Sequence, residues 1–157
     1  MKKIDLTLIE QTTAKAKESP RQRMNFNFHT TPGDPLHRML NAMEPGTYIA
    51  PHKHESPDKR EAFIILRGRV LIVVFNEKGA VTAHTVLEAS GETLGAEIPP
   101  RTYHTLVSLQ PGSVIYEVKD GPWDPHSDKH FAPWAPIEGE PGAMEYQQRL
   151  LEQLGVA

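Results

Sequence analysis

The sequence predicts an all-β fold, a barrel or sandwich of short strands with a short helix at each end. Three observations carry this. Strand-compatible runs of a few residues follow one another from residue 23 to residue 119. Glycine, proline, serine and asparagine separate them at short intervals, as turns between antiparallel strands require. Helical periodicity is confined to the two ends of the chain.

In chain order, Thr7–Lys17 reads as a helix, with Thr7 and Glu10 spaced as a capping box and Ser19-Pro20 ending the run. Arg23–His29 alternates strictly, with Met24, Phe26 and Phe28 on one face and Arg23, Asn25, Asn27 and His29 on the other. Thr31-Pro32-Gly33-Asp34-Pro35 is a loop. Strands are then expected over Arg38–Met43, Thr47–His52, Glu61–Leu66, Val70–Phe75, Val81–Leu87, Thr93–Ile98, His104–Ser108 and Ser113–Lys119. From Asp120 to Gly139 the chain is rich in proline, glycine and tryptophan. It reads as an ordered loop wrapping the body, because Trp123, Phe131 and Trp134 are costly to leave in water. Pro141 opens a short amphipathic helix through Leu154 that ends at Gly155. One domain over 1–157 is expected: 1–30 as N-terminal helix and strand, 38–119 as barrel core, and 120–157 as wrapping tail and C-terminal helix. A chain of 157 residues buries roughly two thirds of its unfolded surface, enough for one ordinary core.

Composition narrows the chemistry. A formal charge of −3 with no basic stripe gives no electrostatic case for nucleic acid or an acidic membrane surface. The absence of cysteine excludes disulfides, thiol catalysis and thiolate ligands. No apolar run approaches the roughly 20 residues of a membrane span. Met1-Lys2-Lys3-Ile4-Asp5 turns polar before a signal-peptide core could form, so a cytoplasmic location is expected.

With nitrogen and oxygen donors only, the strongest constellation is His52, His54, Glu61 and His104. Side chains two apart on a strand share a face, so His52 and His54 project together. Three imidazoles and one carboxylate suit a first-row divalent metal, and Zn, Fe, Mn or Ni would all fit. Glu55 and Asp58 compete with Glu61 for the carboxylate role. Glu61 is preferred because the apolar run Ala62–Leu66 follows it, whereas the other two lie in a turn. The imidazoles must be neutral to bind, so metal is expected to leave below about pH 5–6. His126 and His130 have the spacing of a helical metal pair, but their proline-rich context argues against a helix. His84 reads as structural or exposed, and His37 carries no signal.

Gly46, His52-Lys53-His54, Glu61 and Gly68 resemble the first sequence motif of the cupin superfamily, with a longer gap before the glutamate than usual. Pro99-Pro100-Arg101-Thr102-Tyr103-His104 resembles the second motif, with Arg101 where glycine is usual and Ser108 where asparagine is common. Several further segments are similar to the WbuC family of cupin-fold metalloproteins. They are Ser19–His29, Arg38-Met39-Leu40-Asn41-Ala42, Gly121-Pro122-Trp123-Asp124-Pro125 and Phe131-Ala132-Pro133-Trp134-Ala135-Pro136. That resemblance implies a double-stranded β-helix (jelly-roll barrel) with a bound metal, in a family associated with bacterial surface-polysaccharide gene clusters.

Glu61, Tyr48 and Tyr103 are candidate catalytic groups. Tyr48 is placed toward the cavity because it shares the strand parity of His52. Arg23, Asn25, Asn27, His29 and Arg101 are candidate substrate-binding residues. The polar face of Arg23–His29 has two readings, an exposed edge strand or a lining of the barrel mouth. The sequence offers no obvious second acid/base pair. Three function classes stay open: a metal-dependent isomerase, epimerase, lyase or oxygenase on a small polar or sugar-derived molecule; a metal-seated binding or sensing module; and a structural metal. Pairing into a homodimer is expected, using the Met24-Phe26-Phe28 face, the first helix and the aromatic tail as apolar surface.

Overall fold

The computed structural model describes residues 1–156. Helix α1 (Leu6–Glu18) leads into β1 (Arg23–Asn27), β2 (Leu36–Met43), β3 (His52–Lys53), β4 (Glu61–Arg67) and β5 (Arg69–Phe75). There follow β6 (Val81–Glu88), β7 (Gly95–Ile98), β8 (Tyr103–Ser108), β9 (Ser113–Asp120), β10 (His130–Phe131) and helix α2 (Ala143–Leu154). The strands form two antiparallel five-stranded sheets, ordered β1-β2-β9-β4-β7 and β10-β3-β8-β5-β6. This is a double-stranded β-helix, an all-β barrel of the kind the strand spacing predicts and the form the family resemblance implies.

Period-two alternation sorts the side chains into three layers. One face of the first sheet sends Met24, Phe26, Leu40, Ala42, Val114 and Tyr116 outward, where they pack under Ile9 and Ala16 of α1. The outer face of the second sheet packs Leu71, Val73, Phe75, Tyr103 and Val107 against the tail and Leu150 of α2. Between the sheets lie Met43, Phe63, Ile65, Val70, Ile72, Leu87, Ile98, Leu106 and Ile115. At the β4–β5 turn, Gly68 has φ +78°, and a Cβ there would lie 2.9 Å from Ser113 Cα. Only glycine accepts both the dihedral and the approach.

Four expectations need correction. Asp5, not Thr7, caps α1: its side chain accepts from the Leu8 amide, so the helix starts earlier. Thr47–Pro51 is irregular rather than a strand. The tail is not all loop, because His130 and Phe131 pair with Lys53 and His52. Nor is it uniformly buried. Trp134 packs on Phe75 and Tyr103, while Trp123 and Phe131 are about half exposed, at 44% and 51%. The Met24-Phe26-Phe28 face packs against the cluster under α1, each residue remaining half-buried. No helix among the described residues is long and apolar enough to cross a membrane.

Candidate metal centre and cavity

His52 lies directly opposite His104 across the β3–β8 ladder, and His54 follows two residues later with its ring turned the same way. Glu61 opens β4 on the other sheet and faces them across the barrel. One ligand atom from each of these four residues lies within 4.8 Å of every other, and all four residues are buried. The sequence separation of some fifty residues between His52 and His104 is closed by the β-helix itself.

The protonation geometry tests whether a metal fits. His52 Nδ1 is 2.9 Å from the Ala50 carbonyl oxygen and His104 Nδ1 is 2.9 Å from that of Thr102. His54 Nδ1 contacts the Asp128 carbonyl oxygen. A carbonyl can only accept, so each Nδ1 carries the proton and each neutral ring turns a bare Nε2 inward. His54 Nε2 lies 2.8 Å from Glu61 Oε1, and His104 Nε2 lies 2.9 Å from Glu61 Oε2. Neither nitrogen has a hydrogen-bond partner of acceptable geometry. Buried lone pairs aimed at a carboxylate repel unless a positive charge lies among them. A divalent cation supplies it, so the donor set fits a metal site.

Electrostatics agree. Burial, reinforced by the neighbouring Lys129 charge, pushes the His52 imidazole well below its ordinary value, which keeps it neutral. Burial alone would raise the Glu61 carboxyl. That carboxyl falls well below the usual carboxylate range only where the facing His104 and His54 nitrogens present positive charge, the role a bound cation would fill between the neutral rings.

Around the cluster sits a shell that sequence reasoning missed. Asp128 Oδ1 accepts from Lys59 Nζ at 2.7 Å, and Asp128 Oδ2 accepts from Lys119 Nζ at 2.7 Å. All three are buried. Because the Asp128 carbonyl also holds His54, this triad ties the tail to the ligand set. The Glu117 carboxylate accepts from Asn41 Nδ2, and burial followed by the Glu61 charge raises its pKa. Glu117 supplies the second ionisable group that the sequence did not reveal. A polar residue at alternate positions of β9, amid Val114, Ile115 and Val118, was the one available signal for Glu117 and Lys119.

A cavity of about 850 Å³ opens from His52 and Glu61 to the barrel mouth. Its far wall is the polar face of β1, where Arg23, Asn25, Asn27 and His29 all line it. β1 is therefore both an edge strand and a cavity wall. Arg23 is nevertheless committed: its guanidinium donates to Thr47 Oγ1, Tyr48 O and Glu138 Oε2. His29 stacks on buried His37 at 4.0 Å, and His37 Nε2 meets the Pro32 carbonyl, so His37 does carry a structural role.

Three candidates lie elsewhere. Tyr48 points away from the cavity, its hydroxyl donating to Pro136 O at 2.6 Å and its ring beside Tyr146. Strand parity does not propagate through the irregular Thr47–Pro51 segment. Tyr103 precedes His104 on β8 and therefore faces the opposite side, against Trp134. Arg101 is exposed and pairs with Asp58 at 2.8 Å. Its φ of +61° is the left-handed conformation that glycine favours, which accounts for glycine in the motif it resembles. Glu55 pairs with Lys53 at 3.2 Å, so neither competing carboxylate joins the cluster. His84 and His126 are exposed, and His130 is half-buried on β10.

Comparison with known proteins supports the fold. CapF, the capsular polysaccharide assembling protein from Staphylococcus aureus, is 19% identical with a TM-score of 0.57, covering 69% of this chain and 29% of that one. KdgF from Halomonas sp. is 18% identical with a TM-score of 0.51, covering 68% and 84%. Oxalate decarboxylase from Bacillus subtilis is 16% identical with a TM-score of 0.54, covering 86% and 32%. The chain thus spans under a third of CapF, and at these identities the likeness is one of fold. The architecture is the cupin double-stranded β-helix. No curated protein matches the sequence. Residues 4–87, just over half of the chain, match the family described as a domain of unknown function (DUF6016), and the chain belongs to that family.

Proposed function

We propose that His52, His54, Glu61 and His104 hold one divalent transition metal, Zn, Fe, Mn or Ni, and that the site is catalytic toward a small polar, sugar-derived molecule. The observation that carries this is the inward-turned donor set at the closed end of a cavity large enough for such a ligand. A structural metal has no need of an open chamber beside it. When bound, the ion supplies Lewis acidity and orients substrate oxygens.

The chain's own residues do the rest. The Ala50, Thr102 and Asp128 carbonyls fix the imidazole tautomers. Asn41 donates to Glu117 Oε2, which leaves Oε1 as the atom to hold a proton for a substrate oxygen. Phe63, Leu106 and Ile115 form a dry floor that excludes water from one side. Trp123 and Phe131, exposed at the mouth, offer apolar faces to a sugar ring.

The finer placement is in WbuC-type surface-polysaccharide metabolism, and it rests on the sequence resemblance. The reading takes the chain as a single cytoplasmic domain acting as a homodimer through the open β1 edge. A concentration-independent elution volume matching one chain counts against the dimer. The function is tested by metal analysis of the purified protein, then turnover assays on a panel of sugar phosphates and small acids with wild type and Glu61→Gln. Stoichiometric metal with activity lost in a folded Glu61→Gln protein supports catalysis. Metal-dependent binding without turnover across the panel identifies a binding or sensing module instead.

A further inference from the structure

We propose that the cavity is a carboxylate site whose anchor is the Lys129 ammonium, so that its ligands are small anionic molecules bearing hydroxyl groups. This rests on reading the cavity as a small-molecule site and names the chemistry of its ligand.

Charge pairing inside the cavity leads there. Arg21, Arg23, Lys119 and Lys129 are its cationic side chains. Arg21 and Arg23 share Glu138, at 2.7 and 2.6 Å, and Lys119 is held by Asp128 at 2.7 Å. Of the acids, Glu61 belongs to the imidazoles and Glu117 to Asn41. Lys129 makes no ion pair or side-chain hydrogen bond among the described residues, yet it lines the cavity within electrostatic reach of Glu61, Glu117, Lys119 and Arg23.

Lys129 is an exposed residue that reaches the cavity wall, so its ammonium is a solvent-accessible cation free to pair with an incoming anion. A carboxylate beside it would gain a charge-assisted hydrogen bond that none of the other cavity cations is free to offer. Of the four cations only Lys129 lacks an acid of its own, and a divalent ion at the four donors adds further positive charge. The chamber therefore carries a positive surplus that an anion balances. Asn41 Oδ1 is a buried acceptor with no partner, suited to a ligand hydroxyl.

The test is isothermal titration of zinc-loaded and metal-free full-length protein with two matched pairs, glucuronate against glucose and succinate against succinamide. It is repeated in Lys129→Gln and Lys129→Arg. The acids should bind at least about tenfold more tightly than their neutral counterparts, the span of a charge-assisted hydrogen bond. Lys129→Gln should abolish that preference and Lys129→Arg should retain it. Equal binding of acid and neutral probes, no binding of either, or a preference that survives Lys129→Gln overturns the proposal. Failure to hold zinc sinks the metal-centre reading separately, because the metal-free arm still reports on Lys129.

Discussion

The two ends of the barrel interior are built from the same strands and behave oppositely. On β4 the inward positions run Glu61, Phe63, Ile65; on β8, His104 then Leu106; on β9, Ile115, Glu117, Lys119. At one end these positions close a dry core. At the other they assemble imidazoles, carboxylates and ammonium groups that are equally hidden from bulk water. Apolar groups at the dry end are stabilised simply by leaving water. At the polar end each group needs a specific partner, because an unpaired buried charge costs several kcal/mol. The dry end therefore tolerates any well-shaped filling, while the polar end is an all-or-nothing network.

The largest effect should come from breaking that network. Asp128→Asn leaves Lys59 and Lys119 facing each other without their shared carboxylate, and should cost about 3–5 kcal/mol by denaturant unfolding. It should also weaken metal retention, since the lost lysine pairs anchor the backbone whose carbonyl orients His54. At the dry end Ile72→Ala should cost about 2–5 kcal/mol with zinc affinity unchanged. If the two variants alter metal binding equally, the division between the ends is wrong.

Zinc at about a hundred times its dissociation constant should stabilise the wild type by about 2.7 kcal/mol. His104→Ala should lose that gain, read as the difference in Tm with and without zinc. Acidification should release the metal as protons claim the imidazoles, over about pH 6 to 5. Full occupancy well below that window, measured by metal analysis after dialysis, would falsify the three-imidazole centre.

The smallest effect belongs to the rim. Hydrogen bonding from Arg21, joined by Arg23, lowers the Glu138 carboxyl to about 2 against burial that would raise it. A depressed folded pKa contributes stability that is fully present above the unfolded value near 4.5 and is lost as pH falls toward 2. Solvent reaches this pair, so Glu138→Gln should cost no more than about 1 kcal/mol at neutral pH. The Tm difference from wild type should shrink across that acid window; a constant difference breaks the assignment.

What could be read from the chain was whatever depends on local period and spacing. Alternation along Arg23–His29, β5 and β9 reveals faces, because strand geometry repeats every two residues whatever lies beyond. The pairing of His52 with His54 follows from the same rule. It failed where the backbone is irregular: parity carried Tyr48 toward the cavity, and Thr47–Pro51 turned it toward Pro136 instead. It also could not show partners. Asp128 and Lys129 sit in a proline-rich tail without period, and the β10 pairing with β3, together with the lysine pairs of Asp128, brings them to the cluster.

The sequence by itself determined an all-β chain with helices at both ends, the residue types able to bind a metal, and the faces its strands present. Tertiary structure alone decided that Glu117, Lys119 and Asp128 surround the ligands, that Arg23 is spent on Glu138, and that Lys129 stands uncommitted. The physical reason is range: side-chain direction is set by the nearest few bonds, but the charge and hydrogen-bond partners of a buried group are set by strands far away along the chain.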